Sequence, residues 1–285
     1  MKQKKLLTRG EPKAVTTLNA RGKGRGLILC DHSSKRVPKS LKGLGISKKE
    51  LSRHIGWDIG TEDIGVHMCK TLDMPGVFSG YSRLVIDLNR HPDSHECIIE
   101  KSDHTPIPAN IGITPAARRM RMREVYEPYQ KEVGRQIDRL VKKHKTPLII
   151  AIHSYTPKMD GKKRPWHIAI LWNGQKKIAT KVLRELRQQN PKLIVGDNEP
   201  YTMQDGRYWG LTVYRHAQLR GIPYIFVEFR QDLVDTKAKA RKWADLFMQA
   251  IADVVAKPEA WLEPAAKTVR VKKQTRRATK QTRAA

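Results

Sequence analysis

Three short apolar runs in this chain stop abruptly on side chains that can bind a metal or move a proton. Gly26-Leu-Ile-Leu-Cys30 runs into Asp31-His32-Ser-Ser, Pro147-Leu-Ile-Ile-Ala-Ile152 into His153-Ser-Tyr155, and Tyr224-Ile-Phe-Val227 into Glu228-Phe-Arg230. Continuous apolar runs of this length form strands covered on both faces. In open α/β sheets, ligands and chemistry collect at the carboxyl ends of such strands. Two neutral imidazoles and one carboxylate on a zinc ion leave a position for water, and a separate carboxylate can take that water's proton. A single histidine at a strand end is ordinarily a packed residue. Three reactive strand ends together point to a hydrolytic metal centre.

A fourth run, Tyr81-Ser-Arg83-Leu-Val-Ile-Asp87-Leu-Asn89-Arg90, sets two arginines and an asparagine around a further predicted strand, 84–88. Guanidinium forks bind carboxylates bidentately and an asparagine adds a directed hydrogen bond, so the cluster points to a small carboxylate ligand. A structural Arg83–Asp87 pair is the plainer reading of part of it.

The elements that must position these groups alternate along the chain. Predicted strands cover 26–31, 77–78, 84–88, 147–152, 167–171, 193–195 and 224–228. Ser47-Lys-Lys-Glu50 fits a capping box opening a helical region that runs, with interruptions at Gly56 and Gly60, to about Asp73. Thr114-Pro115 is an N-cap with proline at the first helical position, opening a long amphipathic helix to about His144 with a disturbance at Pro128. Helices at 177–190 and 236–255 follow; Trp243, Phe247, Ile251 and Val254 make the core stripe of the last one. Strands and helices in alternation predict one three-layer α/β/α domain with a mixed, mostly parallel sheet over 25–262. Residues 1–24 read as a flexible basic lead-in and 263–285 as a disordered basic tail.

The chain has 285 residues and a net charge of +28. The tail from Lys267 on holds eight Lys/Arg and no acid, so the remainder keeps +20 (28 − 8). Such a tail can hold polyanions without sequence specificity, but no zinc-finger, helix-turn-helix or RNA-binding aromatic pattern accompanies it. Cys30, Cys69 and Cys97 are an odd, widely spaced set, which argues against a disulfide framework or thiolate zinc site. No apolar stretch approaches the roughly 20 residues that span a bilayer, and the basic N-terminus lacks the apolar core of a secretory signal. The expectation is a cytoplasmic protein; sequence does not set its oligomeric state.

Taken together, Asp31-His32-Ser-Ser, His54-Ile-Gly-Trp57-Asp58-Ile-Gly60, the 81–90 run, His153-Ser-Tyr155, Arg164-Pro-Trp166, Gly196-Asp-Asn-Glu-Pro-Tyr201 and Glu228-Phe-Arg-Gln-Asp-Leu233 resemble the N-formylglutamate amidohydrolase family. The blocks run in family order over about residues 25–250. A more distant likeness joins them to the zinc carboxypeptidases. There a His-Ser-Tyr segment supplies a zinc histidine, an Asn-Arg pair holds the substrate carboxylate and a glutamate is the general base.

The resemblance implies one zinc ion per chain on His32 and His153, a base at Glu228, and a carboxylate clamp of Asn89 and Arg90 helped by Arg83. The carboxypeptidase pattern has a glutamate three residues after the first zinc histidine, where this chain has Lys35. Asp58, in a family block, takes its place as the carboxylate ligand, with Glu62 and Asp31 as alternatives; Asp58 can equally cap a helix or orient His32. Asn198 and Tyr201 are expected to line the substrate pocket, and Tyr155 either to line it too or to donate to a developing oxyanion. His54, His167 and His216 read as supporting residues. The implied reaction is zinc-dependent hydrolysis of an N-acyl amino acid, N-formyl-L-glutamate foremost. A deacylase or peptidase for another N-acyl amino acid, and a basic polyanion-binding protein on a hydrolase scaffold, are the alternatives.

Overall fold

A computed structural model describes residues 5–203 and 210–263. In chain order the strands are β1 (Val15–Leu18), β2 (Gly26–Cys30), β3 (Gly76–Ser79), β4 (Lys101–Ser102), β5 (Thr105–Pro106), β6 (Leu148–Tyr155), β7 (Lys158–Met159), β8 (Lys162–Lys163), β9 (Ile168–Leu171), β10 (Val195–Asp197) and β11 (Tyr224–Arg230). Seven of them form one sheet in the order β1-β3-β2-β6-β11-β9-β10. The centre, β3-β2-β6-β11, is parallel; β1 joins antiparallel at one edge, and β9 runs antiparallel to β11 but parallel to β10. The pairs β4-β5 and β7-β8 are separate short hairpins.

All eight residues of the central strand β6 are buried, which is why its sequence runs apolar without alternation. Alternate side chains still serve opposite faces. Ile149 and Ala151 join Leu27, Leu29, Tyr224 and Phe226 in one apolar core, while Leu148, Ile150 and Ile152 join Ile28, Cys30, Ile225 and Val227 in the other. Helix α4 (Glu127–His144) covers the first face through Val133, Ile137 and Leu140. The second face is covered by α2 (Thr61–Thr71), α5 (Lys176–Gln189) and α7 (Lys237–Ala250). The remaining helices are the short α1 (Lys48–Leu51), α3 (Pro115–Arg121), α6 (Leu211–His216) and α8 (Ala252–Ala256). The expected three layers and mixed, mostly parallel sheet are present. All three cysteines are free and buried.

The local signals hold in part. Ser47 and Thr114 each accept a backbone N–H three residues on, as N-caps. Glu50 turns to Arg53 and Thr105. The disturbance expected at Pro128 is a widened π turn, Met122–Tyr126, lying between α3 and the proline in the first turn of α4. A wider turn frees the carbonyl that the proline ring would strike and leaves no donor missing.

Two expectations fail. Residues from Val15 to Leu18, inside the supposed flexible lead-in, pair with β3 and carry the sheet's edge. The predicted strand at 84–88 is irregular coil. Its backbone groups are satisfied from afar: Asn110 donates to the Leu84 carbonyl, Arg121 to Val85 and Gln130 to Leu88, and the Asp87 N–H reaches the Cys97 carbonyl. A buried segment needs partners for its N–H and C=O groups, and side chains can supply them as well as a neighbouring strand. The late strand predicted at 193–195 begins two residues on. Of the basic tail, everything after Glu263 lies outside the described residues.

Candidate active site

The register of β6 against β11 sets Glu228 directly beside His153. Both continue the face of Ala151 and Phe226, so they rise on the α4 side of the sheet, where the apolar core ends. Phe226 lies flat under the imidazole, ring centres 4.4 Å apart and planes within 4°. The Glu228 carboxyl is buried, and its Oε2 has no hydrogen-bond partner among the described residues. Burial pushes its pKa up to about 7.

The other half of the site stands on coil. His32 follows the end of β2, and its carbonyl accepts the Asp58 N–H at 2.9 Å, tying the turn before α2 to the strand end. That turn closes at Gly60, whose φ of +85° and close approach to the Val234 carbonyl admit no side chain. One carboxylate oxygen, Asp58 Oδ2, then faces two imidazoles: His32 Nδ1 at 3.3 Å and His153 Nδ1 at 3.0 Å. Behind each ring stands a second carboxylate, Asp87 Oδ1 at 2.7 Å from His32 Nε2 and Asp31 Oδ2 at 3.4 Å from His153 Nε2. The latter is an ion-pair contact rather than a well-formed hydrogen bond, since both atoms lack one. Asp31 is itself held by the Tyr129 hydroxyl, which donates to Oδ1 at 2.6 Å. Arg83 donates from Nη1 to Asp58 and from Nε and Nη2 to Asp87, bracing the coil.

These donors fit a tetrahedral cation. One nitrogen or oxygen from each of His32, Asp58 and His153 lies within 4.8 Å of the others, and all three residues are buried. Zinc bonds of about 2.0–2.1 Å at tetrahedral angles set neighbouring ligand atoms about 3.3 Å apart. A neutral imidazole carries one N–H, and each ring here meets a carboxylate at both nitrogens. With the N–H turned rearward, bonded to Asp87 in His32 and pointing towards Asp31 in His153, both Nδ1 lone pairs and Asp58 are left facing one point. Such a disposition is the one a carboxylate–histidine–metal centre requires. Protons answer the same charge in the metal-free protein. Burial opposes the imidazolium of His153, yet Asp31 and Asp58 raise its pKa to about 10. His32 shifts upward too, with Asp87 and Asp58 overcoming burial and Arg83. Against their own burial, Asp58 and Asp87 are held well below the usual carboxylate range by His32, His153 and Arg83.

Substrate space opens in two connected steps. An inner chamber of about 50 Å³ is bordered by His32, Asp58, His153, Glu228, Asn89, Arg90 and Tyr201. It adjoins an outer chamber of about 230 Å³ that shares Asp58, Arg83, Arg90 and Tyr201 and adds Tyr155, Ile55, Ile99 and Met159. Asn89 and Arg90, the expected carboxylate clamp, both border the inner chamber, with Arg90 Nε on Glu96 at 3.1 Å and Asn89 Oδ1 accepting the Thr212 N–H. Arg83 borders both chambers, but its fork is engaged by Asp58 and Asp87, as the structural reading of that pair anticipates.

Three expectations change. Tyr155 borders the outer chamber, but its hydroxyl donates to the Trp166 carbonyl at 2.5 Å and is not aimed at an oxyanion. Asn198 borders neither chamber; its side chain accepts the Trp172 N–H. Glu62 is exposed on α2, and Asp31 lies behind His153, so Asp58 alone of the three carboxylates faces both imidazoles.

His216 and His167 are tied to Gln130 and to the Ile194 N–H, and His54 borders the outer chamber. Sequence reading missed Asp87 as the partner of His32. The signal lay in its spacing from Arg83, but it was read as a pair complete in itself.

The N-formylglutamate amidohydrolase family model matches residues 25–234. No curated protein matches the sequence significantly. Among solved structures, the gene product Atu2144 from Agrobacterium tumefaciens is 29% identical, with a TM-score of 0.82 over 88% of this chain and 99% of that one. An N-formylglutamate amidohydrolase from Ralstonia eutropha JMP134 shares the fold at 16% identity, with a TM-score of 0.68 over 87% of this chain and all of its own. The match spans both halves of the site, from the strand before His32 to the turn after Glu228: this chain belongs to the N-formylglutamate amidohydrolase family.

Proposed function

We propose that this protein is a zinc-dependent amidohydrolase that cleaves a small N-acyl amino acid, with N-formyl-L-glutamate as the lead substrate and formate and L-glutamate as products. The observation that carries it is the convergence of His32 Nδ1, His153 Nδ1 and Asp58 Oδ2 beside a buried carboxylate oxygen of Glu228 that has no partner among the described residues. When bound there, zinc supplies a Lewis acid that polarises the acyl carbonyl and lowers the pKa of its water.

The chain's own groups do the rest. Glu228, on the strand beside His153, accepts a proton from the attacking water. It returns that proton to the departing amine as the carbon–nitrogen bond breaks. Its raised pKa suits both duties, because an acid near neutrality gives up and regains a proton at little cost. Asn89 and Arg90, which border the inner chamber, hold a substrate carboxylate and so fix the amide over the metal-facing groups. Asp31 and Asp87 keep the two imidazoles turned with Nδ1 forward.

The decisive experiment measures bound zinc and the released acid (formate, acetate or succinate) with N-formyl, N-acetyl and N-succinyl amino acids, with and without chelator. Chelator-sensitive formate release supports the reading. Full turnover in metal-free protein would end the zinc assignment. Turnover of acetyl or succinyl compounds alone would move the substrate to another N-acyl class.

A further inference from the structure

Two arginines, Arg83 and Arg90, border the two chambers, and a third, Arg164, stands against side chains of the outer chamber's wall; the three differ in what they already hold. Arg83 is engaged by Asp58 and Asp87, and Arg90 by Glu96. Arg164 has no carboxylate partner among the described residues. Its Nη1 donates to the Tyr201 hydroxyl at 2.9 Å, and its Nη2 rests against Met159 Sδ at 3.3 Å. The guanidinium carbon stands 4.8 Å from the centre of the Tyr201 ring and 6.0 Å from that of Tyr155. All three of these contacts border the outer chamber, and Tyr201 borders the inner one as well. Arg164 follows the β7-β8 hairpin, with its backbone N–H fixed on the Pro157 carbonyl. A half-buried guanidinium with a phenol, a thioether and two aromatic faces for company is well oriented but not neutralised.

We propose that Arg164 is the residue that reads a second carboxylate on the substrate, making the outer chamber selective for N-acyl derivatives of dicarboxylic amino acids. The division of labour follows from the two chambers. Asn89 and Arg90 border the inner chamber and hold the carboxylate nearer the scissile amide. Arg164, one aromatic ring further out, takes the distal carboxylate of the side chain. A fork stacked on Tyr201 loses little freedom when it binds a planar carboxylate, so the neutral side-chain amide of the same shape is discriminated against.

This inference rests on the proposed reading of the site as one for N-acyl amino acids, so its test reads binding rather than turnover. Zinc-loaded Glu228→Gln protein is titrated calorimetrically with N-formyl-L-glutamate and with N-formyl-L-glutamine, then again after adding Arg164→Gln or Arg164→Lys. A preference of about tenfold or more for the glutamate compound is expected, falling to within about twofold in Arg164→Gln and recovering in part in Arg164→Lys. Circular dichroism melts check that each variant is folded. Equal binding of the two compounds with Arg164 in place overturns the proposal whatever the variants do, and so does a preference that survives Arg164→Gln. A chain that binds N-formyl-L-glutamate selectively through Arg164 but releases no formate would refute the hydrolase reading and leave this one standing.

Discussion

His153 and Glu228 stand on neighbouring parallel strands, where backbone pairing fixes their separation before any side chain interacts. Asp58, Arg83 and Asp87 stand on coil, where their places are set mainly by opposite charges: one arginine spans two aspartates, and each of those meets an imidazole. The strand half therefore keeps its geometry when a charge is removed, whereas the coil half is a charge balance that one substitution upsets. Buried charges are costly unless paired, so losses in the coil half should spread and losses in the strand half should stay local.

The largest effect is expected from Asp58→Ala, which removes a metal-facing oxygen and leaves Arg83 and two imidazoles short of an anion. Zinc content, measured by mass spectrometry, should fall from about one ion per chain to less than about a tenth, with turnover lost. Retention of zinc would show that the coil half is sturdier than its charges suggest. Glu228→Gln, in the strand half, should keep its zinc and lower kcat by a factor on the order of 10²–10⁴. Loss of metal in that variant would erase the contrast between the halves. Asp87→Asn leaves the strand pairing untouched and should weaken zinc binding by about 10–100-fold in a chelator competition.

Acidity sharpens the contrast further. In the metal-free protein the pKa of His153 lies at about 10, above its value of about 6.5 in the unfolded chain. The stability it contributes is thus complete below about pH 6.5 and is lost as pH rises towards 10. Thermal melts of the metal-free protein should fall across that window, and zinc binding should tighten as protons leave. A zinc affinity independent of pH there would contradict a protonated His153. The smallest effect is expected from Tyr129→Phe, which removes one buried hydrogen bond to Asp31 and should cost about 1–3 kcal/mol in denaturant unfolding, with zinc retained.

How much of this was legible beforehand follows the same division. The strand ends at His32, His153 and Glu228 announce themselves through apolar runs that stop on reactive groups, a pattern that local sequence carries. Asp58 became a candidate only through its place in a family block, since nothing near it in sequence says that two imidazoles from elsewhere will face it. The 84–88 run looks like a strand because its apolar residues are buried as a strand's would be. What keeps it from pairing is a set of donors from Asn110, Arg121 and Gln130, all distant in sequence. The edge strand at Val15–Leu18 was hidden by the basic composition around it. Arg164 is visible as part of a motif, but that it has no acidic partner among the described residues is a fact of three dimensions.

The flat contact between Phe226 and His153 carries a further consequence. An imidazole stacked that closely is hindered from turning over in place, because exchanging Nδ1 for Nε2 sweeps the ring edge through the space the phenyl occupies. Which nitrogen meets an incoming cation is therefore held by the packing of the two paired strands. The centre is a mould set before the casting, so metal capture should be limited by the arrival of the ion rather than by rearrangement of the protein around it.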